Sequence, residues 1–309
     1  MIVNTHYQIE RGNDLKYEKL HDDFHIPDNA IVTVKEMGNI LEITYNSNRN
    51  SRAQIIKLNA EEYYVLKTGE IKQYIKKSEN RANNIDSVRK TMKRIKELIQ
   101  TNVTDISRVR WCTLTYKENM KSTERLYNDF RKFNQRLKTY LKSRKIENVE
   151  YIMIAEPQER GAWHCHVIYI FEKKAPYISN NEFSKIWGHG YTKITKLDNV
   201  ENIAVYLMAY LSDIEIPIEE QERFYKSEVK EVEINGTKKA FLKGMRLSLY
   251  PKGMNIIRHS RGIKYPEAKR MRLKDANQLI KGKSLTYHTT YRLSNQNGYT
   301  MTIDKKEYK

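Results

Sequence analysis

The chain has 309 residues, enough for two domains or for one large domain with extensions. Its 56 Lys and Arg outweigh 38 Asp and Glu by a formal +18, so it attracts polyanions, of which nucleic acid is the commonest. Two cysteines, Cys112 and Cys165, exclude a disulfide framework, and no apolar run approaches the ~18 residues of a membrane span. The opening residues MIVNTHYQIERGNDLKYEKL lack the apolar stretch of a secretory signal. A cytoplasmic protein is therefore expected. No GxxxxGK[ST] sequence occurs, which argues against an ATP-driven motor. Tyrosines interleaved with lysines can stack unpaired bases in a basic groove, although ordinary packing accounts for most of them.

Three blocks are expected, over residues 1–103, 104–215 and 216–309. The first opens with strand-like alternation in IVTVKE and LEITYN, split by a turn at Gly38-Asn39. The asparagine-rich stretch Asn46 to Asn50 then reads as a loop. SVRKTMKRIKELIQTN follows, with Val88, Met92, Ile95, Leu98 and Ile99 at helical spacing and basic residues between. Such a helix either lies along DNA phosphates or is a solvated surface helix. In the first case Lys90, Lys93 and Arg94 are its contacts.

The middle block is the best patterned. RVRWCTLTY (108–116) predicts a strand. Ser122-Thr123-Glu124 opens a helix whose core stripe is Leu126, Phe130, Phe133, Leu137 and Leu141. EYIMIA (150–155) predicts a buried strand stopped by Pro157, and WHCHVIYIF (163–171) another after a turn at Gly161. Gly190 to Ile194 is a candidate third strand, and Asn199 to Ser212 a helix with Ile203, Leu207, Tyr210 and Leu211. The order implies an α+β fold, a central antiparallel sheet backed by helices. In the last block IEIPIEEQE reads as a linker or lid, and LTYHTTYRLSNQNGYTMTI as a hairpin turning at Asn297-Gly298. Arg258, Arg261 and Lys264 in IIRHSRGIKYP are further candidates for phosphate contact.

Chemistry concentrates in His164-Cys165-His166. On a strand, alternate side chains share a face, so both imidazoles project together and Cys165 points away. Neutral imidazole is a common ligand for divalent metals, although an HxH pair alone is a weak signal. Glu156 ends the preceding strand, and a hairpin would return it beside the histidines; Glu159 on the loop is the competing carboxylate. Two imidazoles and a carboxylate leave positions open for phosphate oxygens and water. Tyr206 and Tyr210 are spaced i, i+4 and share one face of the predicted helix. Packed core tyrosines are the commoner meaning of that spacing. A metal-bound phosphate would let a phenol act as a nucleophile, giving a phosphotyrosine that preserves a reactive ester.

Taken together, WCTLTY (111–116), GAWHCHVIY (161–169) and AVYLMAYLSD (204–213) resemble the three motifs of the HUH endonucleases. More narrowly they resemble rolling-circle replication initiators of bacterial plasmids, phages and integrative elements. EYYVLKTGEIKQY (62–74), NRANNIDSVRKTMKRIKELIQTN (80–102) and MNIIRHSRGIKYP (254–266) also resemble the flanks of Firmicute-type initiators.

The resemblance implies an antiparallel sheet of HUH-nuclease, ferredoxin-like type with the HxH strand in its middle. It implies Mg2+ or Mn2+ held by His164, His166 and Glu156, with Thr113 and Thr115 shaping the floor of the site. It also implies a tyrosine that stays joined to the 5′ phosphate of single-stranded or supercoiled origin DNA and leaves a 3′ hydroxyl for a host polymerase, with a host helicase unwinding. The family motif usually carries Lys three residues after a tyrosine. Here Ala209 follows Tyr206 and Asp213 follows Tyr210 at that spacing. Single-tyrosine relatives favour Tyr210, and two-tyrosine relatives would use Tyr206 as well. A relaxase or transposase would use the same chemistry, and a non-catalytic DNA-binding regulator would share the charge. Oligomeric state is not legible.

Overall fold

Alternating apolar residues and turn chemistry set the first elements. β1 (Lys16–Leu20), β2 (Ile31–Met37) and β3 (Ile40–Asn46) are strands, and Gly38, at φ 59°, turns β2 into β3 as its sequence predicts. β4 (Ile55–Lys57), β5 (Glu62–Val65) and β6 (Ile71–Gln73) form a small antiparallel sheet. The computed structural model describes residues 16–20, 24–48, 55–59, 61–66, 68–73, 85–158, 160–197, 211, 213–216, 229–234, 237–242, 245–251, 253–294 and 300–309.

The chain divides into two compact units, one being Ser78–Tyr265. This unit begins with α1 (Ile85–Asn102), which buries Met92, Ile95, Leu98 and Ile99, the stripe its spacing predicts. β7 (Val109–Thr115) follows, then α2 (Thr123–Ser143). Ser122 caps α2 by accepting from the Arg125 amide, and Leu126, Phe130, Phe133, Leu137 and Leu141 are all buried. β8 (Val149–Pro157) and β9 (Trp163–Phe171) form the expected hairpin, and α3 (Asn180–Trp187) and β10 (Thr192–Thr195) complete the middle of the unit. α3 was not legible as a helix; Ser179 caps it, and Phe183 and Trp187 bury its inner face. Of the helix expected over residues 199–212, only Leu211 lies among the described residues, where it is helical and buried.

β11 (Ile214–Ile216), β12 (Val229–Ile234) and β13 (Thr237–Leu242) make a three-stranded sheet. Part of the expected linker is thus a strand, because β13 offers Ile214–Ile216 a hydrogen-bonding edge. β14 (Ile257–His259) then pairs with β8. The central sheet runs β10-β7-β9-β8-β14, antiparallel throughout, with the HxH strand β9 in the middle.

α2 covers one face of this sheet. Tyr169 donates to Asn134 at 2.6 Å, Tyr116 donates to Asp129 at 3.1 Å, and Phe130 meets Tyr151 edge-on at 5.3 Å. Cys112 and Cys165 lie on β7 and β9, both buried and free, and burial pushes both thiols up. Gly190, at φ 154°, lies where a Cβ would come within 2.5 Å of the Thr115 carbonyl, so only glycine lets β10 close against the end of β7.

The other unit joins the chain ends, Met1–Lys77 with Pro266–Lys309. β15 (Glu267–Arg272), α4 (Leu273–Leu279), β16 (Leu285–Ser294) and β17 (Thr300–Tyr308) complete a six-stranded sheet ordered β1-β16-β17-β3-β2-β15. β16 and β17 pair as expected, and the Asn297-Gly298 turn lies outside the described residues. Val32, Val34, Leu41, Ile43 and Ala276 form its core. The linear blocks 1–103 and 216–309 are therefore not the compact units. β17 adds to β3 and β15 to β2, because open strand edges are satisfied across the sequence, not within it.

Candidate metal and nucleic-acid site

The β8–β9 hairpin builds the site. Gly161, at φ 81°, closes its loop by donating to the Gln158 carbonyl at 2.8 Å, and Gln158 in turn donates to Ala162 at 2.7 Å. This register sets Glu156 directly opposite His164. On the other side, β7 places Thr115 opposite His164 and Thr113 opposite His166. Glu156, both histidines and both threonines therefore share the face away from Cys165. The hairpin is anchored at Trp163, whose backbone amide donates to Met120 at 3.0 Å and whose indole donates to Lys121 at 2.9 Å.

His166 is the better fixed imidazole. Trp111 stacks on it at 5.1 Å and 13°, and Thr113 Oγ1 lies 3.4 Å from Nδ1. Its Nε2 shares a 2.5 Å hydrogen bond with Glu156 Oε2. The His164 ring stands 6.4 Å away at 78°, and its Nε2 is buried with no hydrogen-bond partner among the described residues. Burial pushes His164 down to about 4, against the pull of the Glu156 charge, so the ring is neutral at neutral pH. Glu156 is itself buried, which would raise its carboxyl. The pull of His166, by charge and hydrogen bond, together with the charge of Arg246 outweighs burial and holds it below its ordinary 4.5.

These donors fit a divalent cation in kind: a buried unpartnered imidazole nitrogen, a second imidazole and an ionised carboxylate. Among the described residues, however, no group of three or more His, Cys, Asp or Glu is gathered as a ligand cage. Glu156 Oε2 is engaged with His166 and its other oxygen with Arg246.

Arg246 was not singled out from the sequence. It sits on the 3-10 turn Met245–Leu249, is buried, donates through Nη1 to Glu156 Oε1 and to the Pro157 carbonyl at 3.0 Å, and donates through Nε to the Asp213 carbonyl at 3.1 Å. No local pattern marks it, because its carboxylate partner is 90 residues away in the chain. Tyr206, Tyr210 and Glu159 lie outside the described residues.

The basic candidates form a second feature of this unit. Lys90, Lys93 and Arg94 are exposed on α1, and Arg258, Arg261 and Lys264 are exposed on and after β14. The two groups meet. The Asn102 side chain donates to the Lys264 carbonyl at 2.8 Å and accepts from its amide at 2.9 Å, while Arg94 donates to the Tyr265 hydroxyl and lies over that ring at 5.3 Å. Lys93 approaches Glu97 at 3.8 Å, and the Arg258 guanidinium is 3.4 Å from the Tyr127 ring centroid. The Gly262 amide donates to Glu150 at 3.2 Å. This surface therefore adjoins the Glu150 end of β8, some six residues or ~20 Å along the strand from Glu156.

The antiparallel sheet thus carries two imidazoles and a carboxylate on its central hairpin, and exposed basic residues lie toward the far end of β8. Residues 109–215 match a family model described as Replication-associated protein, of the ORF2 type. This similarity supports a replication-associated protein and is consistent with a rolling-circle replication initiator. Comparisons with curated proteins and with solved structures found no match. Among the described residues no helix is long and apolar enough to cross a membrane.

Proposed function

We propose that the protein starts rolling-circle replication in the cytoplasm of a bacterial host by nicking and rejoining one DNA strand at an origin. The observation that carries this reading is the register of Glu156 against His164, whose buried Nε2 has no partner among the described residues, inside the segment similar to a replication-associated family.

In this proposal His164, His166 and Glu156 would hold Mg2+ or Mn2+, which when bound would supply positive charge to the scissile phosphate. His166 would have to give up its hydrogen bond with Glu156 to ligate the ion. Trp111 and Thr113 keep that ring in place. Tyr210, with Tyr206 as alternative or alternating partner, forms a new Oη–P bond as the P–O3′ bond breaks. The phenolic proton leaves and the departing 3′ oxygen gains one. The products are a 5′-phosphotyrosine and a 3′ hydroxyl, and the reverse attack rejoins the strand. Lys90, Lys93, Arg94, Arg258, Arg261 and Lys264 contact the phosphates of flanking DNA. A host polymerase extends the 3′ hydroxyl, and a host helicase or supercoiling opens the duplex.

Recovery of the covalent peptide–DNA adduct from an origin oligonucleotide, followed by peptide mapping, tests the reading. The adduct should map to Tyr210 or Tyr206, should need metal and should vanish in the double Tyr→Phe variant. An adduct that persists in the double variant, or cleavage indifferent to EDTA, refutes it.

A further inference from the structure

We propose that Arg246 is the positioning residue of this site: it orients the Glu156 carboxylate toward the histidine pair and ties it to the backbone just after the tyrosine segment. The proposal rests on the metal-dependent reading above and adds to it a residue outside the 109–215 similarity.

One buried guanidinium reaches two chain segments. Nη1 takes Glu156 Oε1 and the Pro157 carbonyl, fixing the end of β8, and Nε takes the carbonyl of Asp213, three residues after Tyr210. With Oε1 so occupied, Glu156 is left with Oε2 directed at His166 Nε2. Without Arg246 the carboxylate keeps its His166 bond but loses its second anchor and its link to the backbone at Asp213. The planar fork suits this task, whereas a lysine ammonium on a flexible stem does not hold two segments in one geometry. A guanidinium with side-chain exposure of only 7% is costly to bury without such acceptors.

The test compares wild type, Arg246→Ala, Arg246→Lys and His164→Ala in the full chain. Mn2+ uptake is followed by the loss of the free-ion paramagnetic resonance signal, and adduct formation on an origin oligonucleotide is followed in parallel. Arg246→Ala should bind Mn2+ about 10-fold more weakly and form adduct about 10- to 100-fold more slowly, the usual effect of losing a residue that orients a ligand. Added guanidinium ion at a sub-denaturing level should restore part of both, which a purely architectural role would not allow.

Arg246→Lys keeps the charge and guards against a variant that fails to fold; it should remain impaired in Mn2+ uptake. Wild-type Mn2+ affinity in either folded variant overturns the assignment. If His164→Ala takes up Mn2+ as wild type does, the metal reading has failed instead. The assignment is then judged on adduct formation alone, and an Arg246→Ala chain reacting at the wild-type rate overturns it.

Discussion

Glu156→Gln separates the electrostatic role of this carboxylate from its shape. Glu156 and Arg246 have side-chain exposures of 6% and 7%, so each depends on the other for a counter-charge. A glutamine still accepts a hydrogen bond but leaves the guanidinium buried without its anion. Removing one partner of a buried pair costs about 3–5 kcal/mol. Arg246 keeps the Pro157 and Asp213 carbonyls, which places the expected loss near the lower end, about 3 kcal/mol. Glu156→Gln combined with Arg246→Met should cost less than the sum of the single changes, by about 2 kcal/mol, since neither charge is then stranded.

The assay is urea unfolding in EDTA followed by tryptophan fluorescence. All three tryptophans, Trp111, Trp163 and Trp187, fall within Ser78–Tyr265, so the signal reports this unit by itself. The folded-state carboxyl lies below 4.5, so its contribution is present above that pH and is lost as pH falls through the folded value. The cost of Glu156→Gln should therefore shrink in acid. A cost under about 1 kcal/mol at pH 7, or strict additivity in the double variant, would refute the argument.

Other expectations follow from the same unit. His164 is depressed from 6.5 to about 4, so the unfolded chain binds the extra proton between those values and metal-free stability should fall by about 3 kcal/mol as pH drops through that window; urea midpoints of wild type and His164→Asn should diverge there, and identical slopes would contradict the burial argument. The same neutrality should leave His164 free to ligate metal well below pH 6.5, with Mn2+ uptake failing on this account only near pH 4. Arg94→Ala and Lys264→Ala should each weaken binding to an origin duplex and lower the slope of log affinity against log salt by about 1. Fluorescence-anisotropy titrations at several salt concentrations with unchanged slopes would remove them from the interface. Phe133→Ala should cost about 3–5 kcal/mol by urea unfolding, because its buried ring meets Phe183 at 5.3 Å and Trp187 at 5.5 Å edge-on; a loss under about 1 kcal/mol would mean that α2 and α3 do not share this core.

Where the signal is local, the sequence was enough. The α2 stripe, the Ser122 cap, the β8–β9 hairpin and the Gly38-Asn39 turn each depend on residues within a few positions of one another, so periodicity and turn chemistry reveal them. The side of β9 carrying the histidines follows from strand alternation alone, and a short hairpin returns Glu156 to that side. α3 escaped notice because eight residues span barely two turns, too few for a periodic stripe to stand out.

The HxH pair and its neighbouring carboxylate could thus be read from the chain by itself, since short-range geometry governs both; the resemblance to replication initiators rests on the motifs themselves. Tertiary structure alone decided that Glu156 spends its oxygens on His166 and Arg246, that α1 meets the segment after β14, and that the two chain ends share a sheet. Each of these joins residues far apart in sequence. Which partner a buried charge or an open strand edge finds is settled by the need to satisfy it once water is excluded, and that need takes shape only in the folded chain.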